Sequence, residues 1–216
     1  MRRDPSPLTW APRFREDVLE CSTTSIGRRP LGRPAKFGQD QILDAALAVT
    51  AEDGPAAATI AAIAGRLGAP SGSLYHRFGS RDLLLATLWT RTVRRFQEGF
   101  IEALNADDPE SAALHTPRWC RTHMDEAAVL LLYRRQDLAP TWPTDLTDAL
   151  ATLNTRPTQA LDAYTTRHPT TDRDDLLFAT VDVPYGAVRR HLQERHPPPP
   201  QVDALITNTC RAILGT

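Results

Sequence analysis

The chain has 216 residues, enough for one or two domains and a sizeable core, and its 25 Lys and Arg against 26 Asp and Glu leave a formal net charge of -1 at pH 7. That balance excludes a uniformly basic nucleic-acid coat, and no apolar run comes near the roughly 18–20 residues of a membrane span. Cys21, Cys120 and Cys210, odd in number and without a CxxC pair, point away from a disulfide framework and toward a reducing, cytoplasmic compartment.

In chain order, residues 1–38 form a basic, proline-rich tail with no sustained period, expected to be flexible. No apolar stretch follows its first arginines, so it does not read as a secretory signal, and a start downstream of residue 25 is an alternative reading. Arg28, Arg29, Arg33 and Lys36 occur with no acid between residues 26 and 38. Arg33, in Gly-Arg-Pro, lies on a proline-stiffened segment narrow enough to enter a minor groove, and unspecific phosphate attraction is the equal alternative. Helical periodicity starts after Gly38, with Ile42, Ala46 and Val49 on one face, and Gly54-Pro55 ends it.

Residues 59–81, TIAAIAGRLGAPSGSLYHRFGSR, describe two short helices joined by a glycine turn. Ile60, Ile63, Ala64 and Leu67 mark one apolar face, Thr59 stands at the N-cap, and Gly68 supplies the left-handed stop. Leu74 and Phe78, one turn apart, anchor the second helix. Ser71, Gly72, Ser73, Tyr75, His76 and Arg77 are left to face outward, as small, hydroxyl and aromatic residues would against a DNA groove. Arg66, Arg77 and Arg81 again occur without an acid. From Asp82 onward there are 14 Arg against 18 Asp and Glu, so the positive charge gathers at the N-terminal end.

Ser80 opens a long helix striped by Leu85, Trp89, Val93, Phe96, Phe100 and Leu104. Residues 105–117 read as a polar connection, and a helix follows from Pro117 to about Arg135 whose half AAVLLLY should be buried all round. A weaker helix over 144–167 is expected to break at Arg156-Pro157. Another runs from Thr171-Asp172 to about Arg195, kinked or split at Pro184. The run of prolines at 197–200 precedes a last helix. With no strand pattern, the chain is all-α. It divides into the tail (1–38), a helix-turn-helix DNA-binding domain (39–82) and a helical ligand-binding and dimerisation domain (83–216).

These residues resemble the tetracycline-repressor (TetR) family of transcriptional regulators. The family pattern falls on Gly54, Thr59, Ile60, Ile63-Ala64 and Leu67-Gly68, then on Gly72-Ser73-Leu74-Tyr75-His76-Arg77-Phe78 and Ser80-Arg81-Asp82-Leu83-Leu84, about 45 residues in all. The resemblance implies phosphate contacts for Thr59, Tyr75 and Arg81, with His76 and Arg77 beside the backbone, and approach to base edges by Ser71, Gly72 and Ser73. Ala61 and Pro70 depart from the common pattern, so few long side chains remain for direct readout. Arg33, Arg77 or DNA shape would then carry specificity.

Function follows as an expectation: a homodimeric repressor, not an enzyme, released from a palindromic double-stranded operator by a small apolar or aromatic effector. Trp89, Phe96, Phe100, Trp119, Met124, Tyr133, Tyr164 and Phe178 are candidate pocket residues, with simple core roles as the alternative for any one of them. Arg121 and His123 would be polar members beside the two tyrosines. Cys120 and His123 have the spacing of a helical pair, yet no further ligand stands at metal spacing, so neither metal nor cofactor is expected. No catalytic constellation or phosphate-cradling loop occurs. The rival readings are control by a protein partner without a small ligand and, from another class, a small helical enzyme.

Overall fold

In the computed structural model, which describes residues 37–215, the first three helices form where the capping residues place them. The expected arm residues Arg28, Arg29, Arg33 and Lys36 lie outside the described residues. Helix α1, Gln39–Asp53, buries Ile42, Leu43, Ala46 and Val49. A short 3₁₀ turn, Pro55–Ala57, leads to α2, Ile60–Leu67, whose N-cap Thr59 accepts the Ala62 N–H at 3.1 Å. Gly68 ends α2 at φ 65°, a left-handed geometry that only glycine adopts without strain. Helix α3, Ser71–Phe78, follows after Pro70, and Ser80 caps the 25-residue α4, Arg81–Asn105, by accepting the Leu83 N–H at 3.0 Å.

Beyond α4 come α5, Pro109–Thr122, α6, Met124–Leu132, α7, Arg135–Leu138, and α8, Thr147–Arg167. Then follow α9, Arg173–Leu177, α10, Val183–Gln193, and α11, Gln201–Leu214. The fold is all-α. Three expectations need correction. Residues 109–117 are helical, because Asp108 caps α5 by accepting the Ser111 N–H at 2.8 Å and Pro109 occupies the first turn, where a missing N–H is harmless. Pro117 is inside α5 and the AAVLLLY stretch is only partly buried, Leu130, Leu131 and Leu132 keeping some exposure. Helix α8 runs unbroken through Pro157.

Pro184 neither ends nor sharply splits its helix. Proline removes the bond to the carbonyl four residues back and crowds it. The chain answers with a π-helical turn over Phe178–Asp182, in which the Val183 N–H reaches back to the Phe178 carbonyl. One apolar core holds the N-terminal helices and continues through Leu84, Leu85, Leu88, Trp89 and Val93 of α4 to Val129, Leu138, Leu150 and Leu153. The expected boundary at residues 82 and 83 therefore runs through continuous packing, and α4 is shared by both sides of it.

Candidate nucleic-acid interface and effector cavity

Helix α3 presents the surface that its sequence pattern calls for. Leu74 and Phe78 are buried at 0% and 4%, while Ser71, Gly72, Ser73, Tyr75, His76 and Arg77 are all exposed. Tyr75, at 53% exposure, holds its ring and hydroxyl in solvent. The Ser73 hydroxyl donates to the Pro70 carbonyl at 2.6 Å, so toward a ligand its oxygen acts as an acceptor. No atom would lie within 4 Å of a Cβ at Gly72, which leaves a flat spot beside the two serines. Thr59 stays exposed at the start of α2, its oxygen engaged in the cap.

The charge is less free than its count suggests. Arg66 makes a forked pair with Glu52 of α1, its Nη2 2.7 Å from Oε1, and the pair holds the Glu52 carboxyl below its usual range. Arg81 turns inward. Its Nε donates to the Ala58 carbonyl at 2.9 Å, Nη1 to the Leu138 carbonyl at 3.2 Å, and Nη2 to the Pro55 carbonyl. Asp82 stands beside it at 3.4 Å. Of the three arginines that form the acid-free stretch, only Arg77 has no hydrogen bond or ion pair among the described residues. Sequence counting missed this, because the partners Glu52 and Leu138 are distant in the chain.

On the other side of α4 lies a cavity of about 670 Å³. Trp89, Phe96, Gln97 and Phe100 of α4 form one wall, and Leu130, Leu131 and Tyr133 another. Arg135, Gln136 and Asp137 of α7 line it next to Arg134. Thr116, Pro157 and the π turn, through Thr180, Val181 and Asp182, close the remainder with Tyr185. The Tyr185 hydroxyl donates to the Leu131 carbonyl at 3.2 Å, and burial raises the Asp182 carboxyl above its ordinary value.

Of the candidate pocket residues, Trp89, Phe96, Phe100 and Tyr133 line this cavity, and Trp119, Met124, Tyr164 and Phe178 do not. Trp119 is core, packed edge-on to Phe96 and stacked on His123 at 5.3 Å. Tyr164 is 5% exposed and stacks on His168, filling the cluster under α8. Phe178 is 51% exposed at the start of the π turn. Met124 and His123 line a separate hollow of about 270 Å³. Arg121 is taken by Asp203, Nη2 to Oδ2 at 2.6 Å. Burial pushes the thiols of Cys120 and Cys210 up to about 12 and about 11, so neither acts as a thiolate near neutrality. No group of three metal-ligating side chains occurs among the described residues.

Two features join cavity to interface. Helix α4 begins at Arg81 beside α3 and lines the cavity from Trp89 to Phe100. Helix α7 is a single turn whose Arg135, Gln136 and Asp137 face the cavity, while Leu138 buries its side chain in the N-terminal core and gives its carbonyl to Arg81.

Comparison with known proteins agrees with this geometry. Residues 42–88 match the family described as bacterial regulatory proteins, tetR family. The fold is similar to that of the fatty acid degradation regulator FadR from Bacillus halodurans, at 17% identity and a TM-score of 0.61 over 83% of this chain and 97% of that one. It is similar to FadR from Bacillus subtilis in complex with stearoyl-CoA, at 19% identity and a TM-score of 0.59 over 82% and 98%. A TetR family transcription regulator from Marinobacter aquaeolei VT8 gives 13% identity and a TM-score of 0.59 over 82% and 94%. No protein of curated function matches the sequence. The chain carries the DNA-binding domain of the tetR family of bacterial regulatory proteins, at residues 42–88, on the all-α fold of TetR-family transcriptional regulators.

Proposed function

We propose that this protein is a cytoplasmic homodimeric repressor that leaves a palindromic operator when a small, largely apolar molecule enters the cavity. The observation that carries the reading is the continuity of α4, which lines the cavity at Trp89, Phe96 and Phe100 and starts at the helix-turn-helix. Ser71, Gly72, Ser73 and Arg77 approach base edges, while Thr59, Tyr75 and His76 contact phosphates. Arg28, Arg29, Arg33 and Lys36 add an arm. Arg81 acts through α4 and α7 as a strut. Two copies are needed because one eight-residue helix touches too few bases for a tight site.

A filled C-terminal core would favour control by a protein partner; a cavity of about 670 Å³ favours a small ligand. The ligand shifts an equilibrium between two spacings of the paired α3 helices, and moving a mostly bound population to a mostly free one takes a preference of about 10⁴-fold, about 5.5 kcal/mol. Stearoyl-CoA, bound by the Bacillus subtilis relative, is polyanionic, whereas here Asp137 and Asp182 offset Arg134 and Arg135.

Selection of bound duplexes from random sequence, followed by gel-shift titration across salt, tests the reading. A palindrome should emerge, with affinity falling steeply as salt rises. Failure to bind any duplex at low salt would sink it, and release by a protein partner alone would replace the ligand half of it.

A further inference from the structure

Gln97 sits on the cavity wall of α4 at 1% exposure, and neither its Oε1 nor its Nε2 has a hydrogen-bond partner among the described residues. The same lining carries the apolar side chains of Phe96, Phe100, Leu130 and Val181, with Thr116 and Thr180 among its hydroxyls. Buried side-chain amides are nearly always bonded, since desolvating both an acceptor and a donor without replacement is unfavourable. A leucine would fill the same place without that penalty. Two turns earlier on the same helix, Trp89 shows the same condition: it is 3% exposed, lines the cavity, and its Nε1–H has no partner.

The charged members of the lining balance in number, Arg134 and Arg135 against Asp137 and Asp182. The buried neutral polar groups of the lining that have no partner among the described residues are the Gln97 amide and the Trp89 indole N–H, whereas the Thr180 and Tyr185 hydroxyls already donate to the Leu176 and Leu131 carbonyls. A cis amide on the ligand gives both ends of the protein amide a partner. Turned toward the cavity, the Gln97 Nε2–H donates to a ligand carbonyl and Oε1 accepts the adjacent ligand N–H, closing a planar ring of two hydrogen bonds.

Resting on the reading of the cavity as an effector site, we propose that it takes a neutral, flat, mainly apolar molecule with a lactam edge, whose cis amide pairs with Gln97. Gln97 is then the specificity residue of the cavity, and the aromatic walls supply sequence-tolerant stacking for the remainder of the molecule. A site built to bond both a C=O and an N–H discriminates against analogues that lack either, because its own amide is then left unpaired.

The full chain titrated with four probes tests this: phenanthridinone, its N-methyl derivative, phenanthrene and phenanthrenecarboxylate, followed by tryptophan fluorescence and calorimetry. Phenanthridinone should bind at least about tenfold tighter than the N-methyl compound or the hydrocarbon, with the carboxylate weakest. Gln97→Leu should erase the preference, keep phenanthrene binding, and leave the melting temperature of the ligand-free protein unchanged or raised. Gln97→Met, close in shape and without either hydrogen-bonding group, should lose the preference as well and keeps the test open if the leucine variant fails to fold. Equal affinities in the unaltered protein, or a lactam preference that survives both substitutions, would overturn the role of Gln97. Binding of none of the four would overturn the effector-site reading on which it rests.

Discussion

Arg81 directs its guanidinium at three backbone carbonyls, those of Pro55, Ala58 and Leu138, which belong to the 3₁₀ turn before α2 and to α7. A planar fork with five donors can serve three acceptors at once, which a lysine ammonium on a flexible stem cannot do in this arrangement. The side chain is therefore a strut between α4, the helix-turn-helix and the cavity wall. If it were a phosphate ligand, its removal would lower the slope of log affinity against log salt by about one. The strut assignment predicts otherwise. Arg81→Ala should leave that slope unchanged, lower stability by about 2 kcal/mol or more through the lost charge-assisted bonds, and weaken the effect of ligand on DNA binding. Thermal melts and gel shifts at several salt concentrations check this, and a reduced slope with an intact melting temperature would return Arg81 to the DNA.

At the scale of the helices, α4 and α5 meet at a glycine and a histidine. A Cβ at Gly99 would stand 2.5 Å from His115 Cε1, so only glycine lets the imidazole come this close. From there His115 Nε2–H donates to the Phe96 carbonyl at 2.6 Å, on the helix that lines the cavity. Burial lowers the His115 pKa from its ordinary 6.5; the bond to Phe96 works the other way, and nearby His123 adds to the lowering. The unfolded chain then takes up a proton at a higher pH than the folded one. Stability contributed by neutral His115 is full above about 6.5 and is lost as pH falls from there toward the folded pKa. The melting temperature should drop between pH 7 and pH 5.5, and less so in His115→Gln; an identical drop in that variant would assign it to other groups. These helices also show what the sequence made legible. Thr59, Gly68 and Ser80 announce their caps locally, so α2, α3 and the start of α4 follow from spacing alone. Asp108-Pro109 is an equally good start signal, but the polar run around it and Pro117 drew attention to the wrong proline. Gln97 is masked by the aromatic stripe around it, and its one sign in the sequence is a lone amide among Trp89, Val93, Phe96 and Phe100. The partners of Arg66 and Arg81 had no such sign, since chain distance hides them.

For the whole molecule, the proposed second copy answers the limited reach of α3. Only Arg77 among its exposed residues has a long charged side chain, so tight binding to a specific site asks for two readers held at fixed spacing. Helix α11 buries Val202, Ile206 and Cys210 within its own protomer and leaves Leu205 67% exposed, with Ala204 and Ala212 also on the open surface. If the proposed dimer pairs through α11, Leu205 is the large apolar side chain that the second copy would cover. Ile213 is a poorer probe, because it packs on the cluster of Val202, Ile206 and Cys210 and its replacement would disturb the protomer itself. Leu205→Glu should therefore leave the helicity of the protomer unchanged. In a symmetric interface it places an unpaired carboxylate from each copy against apolar surface, at about 3–5 kcal/mol each if the carboxylates stay ionised and dry. Sedimentation at micromolar concentration should show a monomer, and operator affinity should collapse toward the unspecific level while its salt dependence weakens, since half the phosphate contacts are gone. A dimer that survives Leu205→Glu with full operator affinity would move the interface off α11.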